Sequence, residues 1–285
     1  MITEPLTYQN KLAEIKDLPA IPSIMIEVSN LLNDQNSNTA YIARSIEKDQ
    51  ALTLKVLSVA NSSYYGLQRK ISTMDIAVKI LGFDHMKDIV MRLTVLEAFS
   101  TNPSMHWDRQ SYLLHSLIIA NMARKIAMEL KYPRPGEAFT AGLLHDFGIL
   151  VIKRYFPEEF EYICDTVESR AVTYLDAELK VLGMTHQKIG QFLSEKWALP
   201  ESLSSTILHH HHPLKSTNSK LASIVHVADY MTQKFQIANI EWDKDLKLDT
   251  NIFNILKFND SDELEKFIDG FEEILKKQYD AVKHL

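Results

Sequence analysis

The sequence predicts an all-α fold, and three observations carry that expectation. Glycine and proline are sparse, 8 and 9 in 285 residues, so little punctuates the chain. Strict two-residue alternation of apolar and polar side chains, the mark of a half-buried strand, is scarce. Apolar residues instead return at three- and four-residue spacing, which lines one face of a helix.

Residues 12–100 read as an N-terminal helical bundle. In "IPSIMIEVSNLLND", Ile21, Ile24, Met25, Val28, Leu31 and Leu32 share a face. "TAYIARSIEKD", "ALTLKVLSVANSSYYG", "TMDIAVKILG" and "DHMKDIVMRLTVLEAFS" repeat the pattern, and Gly66 and Gly82 fall where it stops, as C-terminal caps do. The polar stretch "STNPSMHWD", residues 100–108, then interrupts the periodicity and marks a boundary.

Residues 101–235 read as a second helical subdomain. The expected elements are a long helix to about Leu130, a segment near 138–156, and helices near 157–169, 171–181, 185–196, 200–210 and 217–235. Residues 236–285 form a C-terminal extension: a polar stretch, "NIEWDKDLKLDT", and a last amphipathic helix at about 261–285, started by Asp260 or Ser261. The face of that helix, with Phe267, Ile268, Phe271 and Ile274, is expected to pack on the second subdomain.

Composition narrows the function. A net charge of −6, from 31 basic and 37 acidic residues, removes the electrostatic basis for broad binding to nucleic acid or an anionic membrane. The single Cys164 allows neither an internal disulfide nor a cysteine-based zinc site, suits a reducing compartment, and reads as a small core residue. The N-terminal stretch has no apolar core of the kind an export signal needs, and no window of about 18 residues is uniformly apolar. The expectation is a cytoplasmic protein that neither crosses nor binds membranes.

Histidine carries the chemistry. The chain holds 11, and several stand in apolar company: His115 in "SYLLHSLIIANMARKIA", the adjacent His145 and Asp146 in "LLHDFGILVI", His186 in "MTHQKIGQFL", and the run His209–His212 after "SLSSTIL". Asp229 is an acid within the apolar helix pattern "SIVHVADYM". Taken singly, each is most often a hydrogen-bonded core or capping residue. Together they bring imidazole and carboxylate into the interior from several distant segments, and a divalent ion such as Zn, Mn or Fe satisfies such groups jointly. His145 and Asp146 can act together only where the backbone turns, and a helix end near Gly148 would supply the turn. Trp107, Trp197 and Trp242 look too dispersed to form a ligand cage.

These residues resemble the ligand pattern of the HD superfamily of metal-dependent phosphohydrolases. More closely, "LPAIPSIMIEVSNLLND", "IEKDQALTLKVLSVANSSYYG" and "ISTMDIAVKILGFDHMKDIV" are similar to the N-terminal half of the HDOD family, the HD-related output domain of bacterial signalling proteins. "EAFTAGLLHDFGILVI", "LGMTHQKIGQFLSEKWALPESLSSTILHHHHP" and "LASIVHVADYM" are similar to its second half. The resemblance covers roughly residues 12–235. It implies a helical bundle leading into an HD-like subdomain and a regulatory role through a signalling protein partner. From related cyclic-diguanylate phosphodiesterases it implies a ligand set of His115, His145, Asp146, His186, two adjacent histidines best matched by His210 and His211 with a one-position shift open, and Asp229. One or two divalent ions would be the cofactors, with a metal-free remnant as the alternative.

Two departures argue against catalysis. Active relatives often read HD-x-G-K, whose lysine offsets charge developing on the scissile phosphate; here that position is Ile149. The Gly-Tyr-Pro loop of the cyclic-dinucleotide hydrolases is absent from "HPLKSTNSKLAS", and only 18 positions (229 − 211) separate His211 from Asp229. A non-catalytic signalling module is the expectation. A metal-dependent phosphohydrolase acting on a nucleotide or cyclic dinucleotide is the alternative.

Overall fold

A computed structural model describes residues 12, 38–48, 50–61, 70–98, 104–170, 172–237, 242 and 246–282. The helix expected in "IPSIMIEVSNLLND" and the cap expected at Gly66 lie outside the described residues. Among the described residues every regular element is a helix, and the isolated bridge Ser104–Trp107 is the only β pairing. The all-α prediction holds. By contacts the chain divides into two units, residues 19–100 with 280–285, and residues 1–18 with 101–279.

In the first unit, α1 (Thr39–Glu47) begins where the Asn38 side chain accepts a hydrogen bond from the Tyr41 N–H at 3.1 Å, which satisfies a donor that the first helical turn leaves open. Helix α2 spans Gln50–Ala60 and α3 spans Met74–Ala98. At the end of α2, Asn61 donates to the carbonyls of Leu57 and Ile71 and accepts from the Ile71 N–H, so one side chain ties α2 to the approach to α3. Gly82 breaks α3 with φ +78°, a left-handed value that costs glycine little and other residues more. The core here is apolar, built on Ile42, Ile46, Val56, Met74, Val78 and Met86.

The second unit opens with α4 (Arg109–Glu129), capped by Asp108, whose carboxylate accepts from the N–H groups of Gln110 and Ser111. It is followed by α5 (Pro135–Leu144), α6 (Phe147–Tyr155), α7 (Pro157–Arg170), α8 (Tyr174–Leu182), α9 (His186–Lys196), α10 (Glu201–His209) and α11 (Ser219–Lys234). Thr173, Thr185 and Asn218 cap α8, α9 and α11 through side-chain oxygens. After α12 (Phe253–Leu256) come α13 (Ser261–Asp269), capped by Asp260, and α14 (Glu272–Val282). The single terminal helix expected from the pattern is therefore two. They part at Gly270, the residue that favours helix least after proline. Leu264, Ile268, Phe271 and Leu275 are buried along this pair.

Candidate metal centre

The segment 138–156 is not one helix. It breaks at His145 and Asp146, with Asp146 at φ −102°, ψ 9°, between α5 and α6. This turn aims two adjacent side chains at one point. The helix end expected near Gly148 is that of α5 at Leu144, and Gly148 itself lies inside α6, where a Cβ would stand 2.0 Å from the His186 carbonyl oxygen. A bare backbone at Gly148 lets α9 bring His186 to the turn. Gly142 plays a similar part, because a Cβ there would meet Ala120 Cα at 3.0 Å, and α5 thus lies close on the helix that carries His115.

All seven residues singled out in the sequence converge. They form two groups able to hold an ion: Asp146, His186, His210 and His211, and His115, His145 and Asp229. His115, His145, Asp146, His186 and Asp229 are fully buried, His210 is 1% exposed and His211 9%. Within the run of four, the adjacent pair is His210 and His211, while His209 and His212 stay outside both groups.

Asp146 joins the groups. Its Oδ2 lies 3.1 Å from His145 Nε2 and 3.6 Å from His115 Nε2, and its Oδ1 lies 3.3 Å from the Nε2 atoms of both His186 and His210. Asp229 belongs with His115 and His145, its Oδ1 3.8 Å from His115 Nε2 and its Oδ2 3.9 Å from His145 Nε2.

The outward ring nitrogens decide what the inward ones offer. His145 Nδ1 bonds the Gly142 carbonyl and His210 Nδ1 the Ile207 carbonyl, each at 2.8 Å. A carbonyl only accepts, so both Nδ1 atoms carry a proton and, in the neutral ring, each Nε2 presents a lone pair inward. His186 Nδ1 is held by Glu178 at 3.0 Å, and Glu178 also accepts from the His186 N–H at 2.8 Å. Backbone carbonyls and a carboxylate behind the rings are the arrangement that orients histidine ligands at metal centres.

Electrostatics call for a cation here. Burial and the neighbouring His211 push His210 down to about 3, so its neutral Nε2 lone pair faces the Asp146 carboxylate and, at 3.4 Å, His186 Nε2. Burial opposes charge on Asp146 and on His186. It is overcome in both: the His145 ring and hydrogen bonds from His115, His145 and His186 hold Asp146 well below the usual carboxylate range, and Glu178 and Asp146 hold His186 well above the usual histidine range. Three fully buried carboxylates, Asp146, Glu178 and Asp229, thus meet imidazoles of the two groups. A proton shared among the rings meets part of that demand. A divalent ion meets it with bonds to the same lone pairs, so the residues fit the metal that the pattern implies.

Three participants were invisible in the sequence. Glu178 reads there as a polar position of an amphipathic helix, yet it is fully buried behind His186. His226, one turn before Asp229, bonds the His210 carbonyl through Nδ1 at 2.7 Å and accepts from the Asp249 N–H through Nε2; burial pushes it down to about 4. Trp242, in the stretch read as a polar connection, donates from Nε1 to Asp146 Oδ2 at 3.0 Å. The tryptophans are also less dispersed than they looked, since Trp107 and Trp242 pack at a tilt with ring centres 5.9 Å apart beside the centre while Trp197 stacks on Phe147 at 5.6 Å. Nothing in their spacing signals this.

Comparison with known proteins follows the geometry. The family model of the HDOD domain matches residues 18–213. An HDOD domain protein of unknown function from Geobacter sulfurreducens superimposes with a TM-score of 0.81, at 25% identity over 98% of both chains. A candidate signal-transduction protein from Marinobacter aquaeolei gives 0.76, at 22% identity over 99% of this chain and 60% of that one. A candidate phosphohydrolase from Shewanella amazonensis gives 0.72, at 22% identity over 98% and 99%. Among curated relatives, a protein of Treponema pallidum is 24% identical over 205 residues, 69% of this chain, and YuxH of Bacillus subtilis is 26% identical over 117 residues, 41% of it. The chain spans only 38% and 28% of the length of those two relatives. Among the described residues, no helix is long and apolar enough to cross a membrane.

Proposed function

The chain belongs to the HDOD domain family, and from that premise and the buried centre we propose that it is a signal-transduction module that works through contacts with a protein partner, with a divalent metal centre that organises its fold and no catalytic turnover. His115, His145 and Asp229 would hold one ion and Asp146, His186, His210 and His211 a second, or the two sets would share one through Asp146. When bound, such an ion supplies a strong positive charge and, at an open position, an activated water. The residues of the chain do the rest. Glu178 and the carbonyls of Gly142 and Ile207 fix the rings, and Trp107, Tyr112 and Trp242 keep water from the His115 side.

The observation that carries this reading is burial. Six of the seven ligating side chains expose 1% or less of their surface, whereas a hydrolytic centre must admit a phosphate and a water. The position that relatives fill with lysine supports it as well, since Ile149 is fully buried and supplies no charge to a phosphate.

A second reading, a phosphohydrolase acting on a small phosphate ester, is favoured by one feature. A cavity of about 280 Å³ reaches His211 and is lined by Tyr174, Leu175, His212, Trp242, Leu246 and Lys247 among others. One assay separates the two. Protein loaded with Mn, Fe or Zn is incubated with bis-p-nitrophenyl phosphate and with nucleoside monophosphates. The signalling reading predicts no hydrolysis above the metal-only rate. Hydrolysis that disappears in a folded Asp146→Ala variant would establish the second.

A further inference from the structure

We infer that Trp242 is a positioning residue of the metal centre: its indole N–H sets the rotation of the Asp146 carboxylate, so that Oδ2 serves the His115 and His145 side and Oδ1 the His186 and His210 side. The inference rests on the metal reading above and adds a residue to it that lies outside the matched residues 18–213.

The chemistry of the contact comes first. An indole nitrogen can only donate, and Trp242 Nε1 donates to Asp146 Oδ2 at 3.0 Å. Asp146 is fully buried and Trp242 is 6% exposed, so water does not substitute readily for the donor. A carboxylate turned about its Cβ–Cγ bond would exchange or misplace its two oxygens. Here each oxygen has a different duty, because Oδ2 stands within 3.6 Å of two rings and Oδ1 within 3.3 Å of two others. Asp146 Oδ1 faces the Nε2 atoms of His186 and His210, each at 3.3 Å, and the Trp242 N–H fixes the group from the opposite oxygen at 3.0 Å.

The indole is itself held. Its ring packs 5.9 Å from Trp107 and 5.8 Å from Tyr112, and it meets His115 edge-on at 6.0 Å and 88°. Trp107 in turn stands edge-on to Phe160 at 5.7 Å. An aromatic that served only to fill this space would not need a ring nitrogen; a phenyl ring packs similarly and leaves no donor to satisfy. The observed placement uses both parts of the side chain, the flat body against Trp107 and Tyr112 and the N–H against the ligand.

The test compares Trp242→Phe with site-specific replacement of Trp242 by benzothienylalanine, which keeps the bicyclic shape and replaces N–H by sulfur. The affinity of the full chain for Zn(II) is read by competition with a chromophoric chelator, and the visible absorption of Co(II)-loaded protein reports ligand geometry. Both replacements are expected to weaken Zn(II) binding about 10- to 100-fold, the usual effect of removing a group that orients a ligand, and to alter the Co(II) bands. Equal affinity and unchanged bands in folded variants would overturn the inference and leave the metal reading intact. Weakening in Trp242→Phe but not in the benzothienyl protein would also overturn it, by assigning the effect to packing. If Trp242→Phe does not fold, the benzothienyl protein decides alone. No Zn(II) binding by the unmodified chain would remove the metal reading and the inference together.

Discussion

The two units of the chain make their interiors in different ways. Among the described residues of 38–98, Ser45 is the only buried polar side chain, and the core is aliphatic with methionine. Among the described residues of 104–237 the interior holds six buried histidines in and behind the candidate centre, His115, His145, His186, His210, His211 and His226, together with Asp146, Glu178 and Asp229. Burying apolar surface stabilises a fold without further conditions. Burying ionisable groups stabilises it only when each is met by a partner or an ion. The first interior therefore needs nothing but its own side chains, while the second sets ionisable groups against one another and, on the metal reading proposed above, a divalent ion.

The sharpest way to break that contrast is a pair of substitutions. Asp146→Ala removes the carboxylate shared by both ligand groups, and metal affinity is expected to fall by at least about 100-fold in a chelator competition, beyond the effect of losing an orienting group. Ile46→Ala, in the apolar interior, is expected to cost about 2–5 kcal/mol in denaturant unfolding and to leave the metal affinity of folded protein unchanged. If Ile46→Ala changed affinity as much as Asp146→Ala, the two interiors would not be separable in this sense.

Gly148→Ala probes the backbone that builds the turn. A Cβ at 2.0 Å from the His186 carbonyl must push α6 and α9 apart, which is expected to cost about 1–3 kcal/mol as overpacking does and to weaken metal binding by displacing His186. Both are read from thermal unfolding with and without metal. Glu178→Gln is gentler. It keeps a hydrogen-bond acceptor for His186 but removes the charge behind it, and the expected loss is about tenfold in metal affinity with little change in helix content by circular dichroism.

The smallest expected effect concerns Cys164. It is 8% exposed, and burial pushes its thiol up to about 12. At pH 8 the group lies well below that value and stays protonated, so reaction with a thiol reagent in native conditions is expected to be far slower than in denaturant. Rapid labelling of native protein would show that α7 and α8 open more readily than their packing indicates.

Much of this contrast was legible in the sequence. Helical periodicity gave the all-α class and most element positions because one face of each helix is buried and 3.6-residue repetition records that directly. His115, His145, Asp146, His186, the run His209–His212 and Asp229 stood out because histidine and aspartate in apolar surroundings are chemically costly, as His115 in "LLHSLIIA" and Asp229 in "HVADYM" illustrate; the choice of His210 and His211 within the run came from the family resemblance. What sequence could not show were effects of tertiary approach. Glu178 lies on an amphipathic helix like any surface acid until α9 covers it. Trp242 sits among charges in "NIEWDKD", and only folding brings it to Asp146 across 96 positions of chain. The break at Gly270 and the role of Gly148 also depend on neighbours that a periodicity does not contain.

The central claim is that the convergent imidazoles and carboxylates of the second unit form a divalent metal centre. Its most direct test is the metal content of the protein, measured by mass spectrometry after loading with Mn, Fe or Zn and removal of free ion by gel filtration, beside Asp146→Ala treated identically. The account predicts about one to two equivalents per chain, lost in the variant. Less than about a tenth of an equivalent in the unmodified protein, with every one of the three ions, would contradict it.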